Sequence, residues 1–291
     1  MGLPTLQNTA AVVVTYRPIP EYAANVRRYQ ANVRTLYVVD NSETMPDESR
    51  KAFLAIPNVR LIEHGENLGI AAALNSGARH ALADGHEWLL TMDQDSIVPD
   101  GMIERLEHIA MEEPDASIVS PYQQFNSFQK PPSYPEVQDM PFVITSGNLL
   151  NLKIFQSVGP FDENMFIDYV DFEYCLRIRK SGYRILQVND VILKHRLGSP
   201  VTLHLGRKSI SLWTHHPLRY YYRARNRRYL CCKYLKIFPS ILALAARDTI
   251  LDIVLILISR QEIKTKFHMV MQGRADHKAG RMGRYNHNTT P

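Results

Sequence analysis

Cysteine is scarce in this chain of 291 residues: Cys175, Cys231 and Cys232 are the whole complement. Three thiols, two of them adjacent, make neither a disulfide framework nor the paired spacing of a zinc site, so a reducing compartment is expected. The first fifteen residues lack a basic stretch followed by a long apolar core, and no secretory leader is expected. There is no internal repeat and no low-complexity tract. Nor is there a G-x-G-x-x-G after the first apolar run, or a G-x-x-x-x-G-K-[ST] anywhere, so the common glycine-rich phosphate cradles are excluded. No activated Ser or Cys nucleophile stands out, which argues against a covalent enzyme intermediate.

What is present describes a folded protein, 45% hydrophobic and 22% charged. Its net charge of +5 conceals an asymmetry. Residues 1–193 hold 15 Lys and Arg against 25 Asp and Glu, a net of −10, whereas residues 194–291 hold 19 against 4, a net of +15. An acidic body therefore precedes a basic region suited to an anionic partner: nucleic acid, a membrane surface or a phosphorylated substrate. Nucleic acid is the weaker choice, because the acidic body repels a phosphate backbone.

Strand-length apolar runs alternate with helical stretches through the first two-thirds. "AAVVVTY" (10–16), "TLYVVDNS" (35–42), "VRLIEH" (59–64), "EWLLTMDQD" (87–95), "ASIVSPY" (116–122) and "FVITSGNLL" (142–150) read as strands. Residues 20–32, 70–84 and 100–112 read as helices. The alternation predicts an α/β fold with a mostly parallel sheet covered by helices, in which ligands bind at the carboxyl ends of the strands. Several predicted strands end on polar groups there: Thr15-Tyr16, Asp40-Asn41 and Asp93-Gln94-Asp95. "QKPPSYPEVQDMP" (129–141) reads as an irregular loop.

The rhythm stops after residue 198, which divides the chain into an α/β part, 1–198, and a basic helical part, 199–291. "IFPSILALAARDTILDIVLILI" (237–258) is long enough to suggest a membrane span. Arg247, Asp248 and Asp252 oppose that, each costing about 2.5–3.5 kcal/mol near a bilayer centre. Asp248 and Asp252 are four apart and share a helix face. The stretch is expected to be an amphipathic helix that packs on the body, lies in a membrane interface, or does both.

Without a glycine cradle, a bound diphosphate calls for a cation, and Mg²⁺ or Mn²⁺ prefers carboxylate oxygens. Asp93 and Asp95, at i and i+2, point the same way if the strand continues through both. "GENLGIAAALNSGARHA" (65–81) places Asn67 and Gly69 at a helix entry, where free N–H groups point outward. In "MFIDYVDFEYCLRIRKSGY" (165–183), Asp168, Asp171 and Glu173 crowd a helix start. They can be capping acids complementing the macrodipole, or one can be a general base. "HHPLRYYYRARNRRYL" (215–230) combines core-like aromatics with arginines able to meet phosphate.

The ordered set "VVVTYRP", "VVDNS", "ENLGIAAALNSG", "TMDQDS", "TSGNLL", "VGPFDENMFIDYVDFEYCLR", "KHRLG" and "HHPLRYYYRARN" resembles a family 2 glycosyltransferase with the GT-A fold. Within that family it most resembles the bacterial rhamnosyltransferase branch, over roughly residues 10–230. The resemblance implies a metal-dependent inverting enzyme moving L-rhamnose from dTDP-L-rhamnose to a hydroxyl of a cell-surface glycan or a polyprenyl-diphosphate-linked acceptor. Another nucleotide-sugar donor is the alternative within this class. It implies that Thr15, Tyr16, Asp40 and Asn41 line the base and ribose pocket, supported by Asn67, Gly69 and Asn75. Asp95 would ligate Mg²⁺ or Mn²⁺, with Asp93 shared between ribose and metal and His195 as a further ligand. Ser146 and Gly147 would border the donor sugar, and Arg219 and Arg225 would meet the diphosphate. Asp171 matches the aspartate of the family's Glu-Asp pair and would be the catalytic base, although Val170 stands where the pair has Glu. Asp168 and Glu173 are the other candidate bases. The implied location is cytoplasmic, peripheral on the inner face of the cell membrane, against an anionic lipid surface.

Overall fold

The computed structural model describes residues 8–125, 135–194, 199–205 and 208–286, with side chains described outside 199–213. Two compact units emerge, one of residues 1–163 and 171–196, the other of residues 164–170 and 197–291.

The first unit is built on an eight-stranded sheet. In chain order its elements are β1 (Thr9–Thr15), α1 (Tyr22–Arg27), β2 (Thr35–Asp40), α2 (Asp47–Leu54), β3 (Val59–Glu63), α3 (Ile70–Ala83), β4 (Trp88–Asp93), α4 (Met102–Glu112) and β5 (Ala116–Gln124). There follow β6 (Val137–Asp139), β7 (Asn148–Asn151), α5 (Leu152–Val158), α6 (Val170–Lys180) and β8 (Arg184–Lys194). The strand order is β3-β2-β1-β4-β7-β5-β8-β6. β1, β2, β3 and β4 run parallel, as do β5 and β8. β7 is antiparallel to both β4 and β5, and β6 is antiparallel to β8. The chain therefore winds outward from β1 through β2 to β3, then returns to lay β4 on the other side of β1. This reversal is a topological switch point, the usual place for a ligand crevice in such sheets.

Composition explains the layers. Every residue of β1 and β2 is buried, as expected for aliphatic strands covered on both faces. α3 buries Ala71, Ala72, Ala73, Ser76, Gly77 and Ala78, a small-residue face that lets helix and sheet approach closely. At Gly77 a Cβ would fall 2.3 Å from Val12 Cγ2. α4 buries Met102, Ile103, Leu106, Ile109 and Ala110, the i, i+3, i+4, i+7 stripe of a helix laid on a core.

The expected strand over 142–150 is shorter than its apolar pattern suggests. Only Asn148–Asn151 pairs as a strand, and Gly147, at φ +84°, bends the chain just before it. The helix expected over 20–32 likewise stops at Arg27, with a separate 3₁₀ turn at Gln30–Asn32.

The second unit opens with a hairpin that the sequence reading did not anticipate: β9 (Ser199–Leu205) and β10 (Lys208–Thr214), paired antiparallel. Three helices follow, α7 (Pro217–Tyr234), α8 (Ile241–Ser259) and α9 (Ile263–Lys278). His216 starts α7 by accepting from the Leu218 N–H, with Pro217 at the first helical position. Tyr221, Tyr222 and Met269 form its small core with Phe166. Among the described residues, no helix is long and apolar enough to cross a membrane.

Candidate active site

Three parallel strands deliver polar groups to one edge of the first unit. The register pairs Thr15 with Asp40 across β1 and β2, and Val14 with Asp93 across β1 and β4, so the three carboxyl ends finish level. The Thr15 hydroxyl donates to Asp40 Oδ1 at 2.8 Å, and the Ser42 hydroxyl donates to the same oxygen at 3.0 Å. Thr15 and Asp40 are both buried, so this pair shapes the floor of the edge. Tyr16 stands above it, 38% exposed. Its main-chain N–H donates to Gln94 Oε1 at 3.0 Å, and its carbonyl accepts from Gln94 Nε2 at 3.3 Å. Gln94 thus ties the exit of β1 to the exit of β4, a role its position between two aspartates concealed.

Asn41 organises the next turn. Its Oδ1 accepts from the Leu68 N–H at 3.0 Å, and its Nδ2 donates to Asn67 Oδ1 at 3.0 Å. Asn67 Oδ1 in turn accepts from the Gly69 N–H at 3.0 Å. Gly69 holds φ +90° at the start of α3, a conformation that favours glycine. The His64 Nδ1 lies 3.1 Å from Asn41 Oδ1, and because an amide oxygen only accepts, the ring contributes the Nδ1–H. Burial, followed by the nearby Arg79 charge, lowers the His64 pKa, which keeps the ring neutral at pH 7. Sequence reasoning passed over His64, whose one signal was its place at the end of the third apolar run.

Asn75 is buried within α3 and spends its amide on packing. It accepts from the Phe161 N–H at 2.9 Å and donates to the Phe161 carbonyl at 2.9 Å and to Glu163 at 2.8 Å. Its support for the strand ends is therefore indirect, through the seating of α3.

β4 stops at Asp93, and Asp95 lies in the turn beyond it. The strand alternation expected to aim both carboxylates one way ends between them, so the turn, rather than the pleat, sets the direction of Asp95. The Asp93 N–H donates to Ser146 Oγ at 3.3 Å. Ser146 Oγ is also 2.8 Å from Ser96 Oγ, and its carbonyl accepts from Gln123 Nε2 at 2.7 Å. The Gly147 N–H donates to the Thr91 carbonyl at 2.7 Å. A Cβ at Gly147 would lie 2.8 Å from both Leu193 Cδ2 and Pro121 Cγ. Ser146-Gly147 is thereby locked beside the end of β4.

The acidic cluster separates into distinct environments. Glu173 is fully buried and accepts from Arg177 Nε at 3.0 Å and Nη2 at 2.8 Å. Asp168, in the second unit at φ +64°, accepts from Arg219 Nε at 2.7 Å and Nη2 at 2.6 Å. Asp171 lies in the first turn of α6, accepts from the Phe172 N–H at 2.9 Å and is partly exposed. It lines a small cavity with Thr145, Asn148 and Tyr174. Burial raises the Tyr174 pKa far above its ordinary value, so that hydroxyl stays protonated. Val170, standing where the resemblance has Glu, is buried.

The structure gives Arg225 a task other than the diphosphate contact expected of it. Its side chain is fully buried and donates to the carbonyls of Gly283 at 2.7 Å, Met165 at 3.1 Å and Asn164 at 3.2 Å. With Asn226 Nδ2, which donates to the carbonyls of Met165, Ile167 and Asp168 at 2.8 Å each, it clamps a segment held at positive φ at Phe166, Asp168 and Tyr169. His195 lies outside the described residues. Among the described residues, no group of three or more His, Cys, Asp or Glu side chains could hold a metal ion.

A cleft of about 360 Å³ in the first unit is lined by Tyr122, Gln138, Phe142, Phe172 and Gln187 among others. Phe142 and Phe172 stack with ring centroids 4.8 Å apart, and Phe172 is the neighbour of Asp171.

Residues 12–167 match the model of glycosyl transferase family 2. The chain is 32% identical over 239 residues to a dTDP-rhamnosyl transferase, RfbF, of Shigella flexneri, covering 75% of this chain and 78% of that protein. It is 26% identical over 172 residues to an uncharacterised protein of Mycobacterium tuberculosis, covering 55% of this chain and 66% of that one. Among solved structures, GalNAc-T7 with UDP, GalNAc and Mn²⁺ superimposes with a TM-score of 0.55 at 13% identity, covering 69% of this chain and 46% of that one. At that identity the likeness concerns the fold.

Proposed function

Because this chain belongs to glycosyl transferase family 2 and is a glycosyltransferase, we propose that it transfers L-rhamnose from dTDP-L-rhamnose. The acceptor is a hydroxyl of a cell-surface or lipid-linked glycan, and the reaction inverts the anomeric centre. The observation that carries the reading is the level ending of β1, β2 and β4 at a switch point, where Thr15, Asp40, Asn41 and Asp93 meet. The choice of donor is supported by the rhamnosyltransferase relative.

In this reading the Asn41–Asn67 pair and the Tyr16 segment hold the base and ribose. Asp93 and Asp95 are hard oxygen donors at the end of β4, and they fit Mg²⁺ or Mn²⁺ as part of a shell completed by diphosphate and water. When bound, such a cation neutralises charge on the departing diphosphate. Ser146 and Gly147, fixed by Gln123 and Thr91, border the sugar. Asp171 takes the proton from the acceptor hydroxyl as that oxygen attacks. Asp168 and Glu173 are weaker candidates for this step because each is held by a guanidinium. The cleft beside Phe172 offers aromatic faces and glutamine amides, groups suited to an acceptor sugar ring.

Asp171→Asn tests the assignment. It should bind dTDP-rhamnose as the parent does and lose roughly 10²–10⁴-fold in transfer rate. A near-normal rate would remove Asp171 as the base. Undiminished turnover in Asp95→Asn would remove the metal assignment.

A further inference from the structure

α8 buries what a surface helix ordinarily exposes. Asp248, Asp252 and Ser259 turn inward with Ile241 and Ile256, all within an arc of roughly 80° at 100° per residue. Leu242, Ile250, Leu251, Ile253, Val254 and Leu257 face outward, between 39% and 61% exposed. The inward acids explain the orientation. Asp252 accepts from Arg223 Nε at 2.9 Å and pairs with Arg227. Asp248 accepts from the Tyr169 hydroxyl at 2.9 Å. Rolling the helix over would leave two largely buried guanidiniums without their carboxylate. The apolar row is thus held outward by ion pairs, and a contiguous exposed apolar face of this kind marks an interaction surface.

Beside this row runs a groove of about 540 Å³, lined by Arg228, Cys231, Leu242, Ala246, Ile250 and Arg274 among others. Arg228 and Arg274 are exposed, and Arg247 on α8 is exposed but paired with Asp248 at 2.9 Å. Of the four acidic side chains in 194–291, Asp248, Asp252 and Asp276 are buried and Glu262 is exposed, whereas of the Lys and Arg there that are described only Arg225, Arg227 and Lys266 are buried.

We propose that the outward face of α8 seats this protein on an anionic phospholipid bilayer. The aliphatic row enters the boundary between headgroups and acyl chains, parallel to the surface, and Arg228 and Arg274 take lipid phosphates. A second copy of the chain is the poorer occupant. It would bring the same cationic surface against this one, with almost no exposed carboxylate to answer it. The inference does not rest on the transfer reaction, so vesicle binding and turnover can fail separately.

The test is flotation of the full chain with vesicles of phosphatidylcholine alone and of phosphatidylcholine with phosphatidylglycerol, at low and high salt. Binding should require the anionic lipid and weaken with salt. Arg228→Gln with Arg274→Gln should weaken it roughly 25-fold, about fivefold per charge. Ile250→Glu with Val254→Glu should abolish it without altering the circular dichroism, since both side chains are exposed. No binding to anionic vesicles, or undiminished binding by the Ile250/Val254 variant, would overturn the proposal. So would a dimer in sedimentation equilibrium that this variant dissociates while vesicles go unbound.

Discussion

Substitution of Asp168 separates two energies that one residue carries. Its backbone is left-handed, at φ +64°, where Asp and Asn are tolerated better than other non-glycine residues because their side chains bond locally. Its carboxylate, 7% exposed, holds Arg219 at 2.6 and 2.7 Å. Asp168→Asn keeps the backbone preference and removes the charge. A charge-assisted hydrogen bond contributes roughly 1.5–3 kcal/mol. The Arg219 side chain is 40% exposed and rehydrates when released, so the net loss is about 1–2 kcal/mol. Asp168→Ala loses the same pair and adds about 1–2 kcal/mol of left-handed strain, for a total of about 2–4 kcal/mol. Urea unfolding followed by circular dichroism reads both variants as lower midpoints at unchanged slope. Equal losses for Asn and Ala, or losses below about 0.5 kcal/mol for both, would refute this division.

Gly147→Ala should cost more than an ordinary exposed loop change. The φ of +84° and a Cβ 2.8 Å from the Pro121 ring add to about 2–4 kcal/mol, measured as a loss of thermal stability. Lys266 is 1% exposed, its ammonium donating to the hydroxyls of Thr214 at 3.1 Å and Ser259 at 3.2 Å. Burial lowers its pKa below 10.5, so between the folded pKa and 10.5 the unfolded chain binds the extra proton. Stability should therefore fall as pH drops through that window. Lys266→Met should flatten this dependence in denaturation curves taken across alkaline pH, and a parallel curve would contradict the sign.

Much of the first unit was legible because its strands are continuous aliphatic runs ending on polar residues. β1, β2, β3, β4 and β5 fall where "AAVVVTY", "TLYVVDNS", "VRLIEH", "EWLLTMDQD" and "ASIVSPY" stand. β7 was legible as a strand but not in direction, since direction depends on how the chain between β5 and β7 crosses the sheet, which an apolar pattern does not record. The hairpin at 199–214 was missed although Val201, Leu203 and Leu205, then Ile210 and Leu212, alternate with polar residues. Pro200 inside the first run weakens that period-2 signal, since a proline within a run counts against a strand. Spacing showed that Asp248 and Asp252 share a face, but the direction of that face depends on Arg223 and Arg227, distant in sequence. In the site, the clustering of Thr15, Asp40, Asn41 and Asp93 followed from parallel strands. Gln94 and His64 were hidden because their roles are hydrogen bonds between separate strand ends. Arg225 was misread because charge alone does not distinguish a phosphate ligand from a buried backbone clamp.

Calorimetric titration with nucleotide sugars, with and without Mg²⁺ or Mn²⁺, tests the central claim most directly. The account predicts that dTDP-rhamnose binds in preference to UDP- and GDP-sugars, that the cation strengthens binding, and that Asp95→Asn removes the cation's effect while the fold persists. Equal binding of all donors, or tight dTDP-rhamnose binding indifferent to both cation and Asp95, would contradict it.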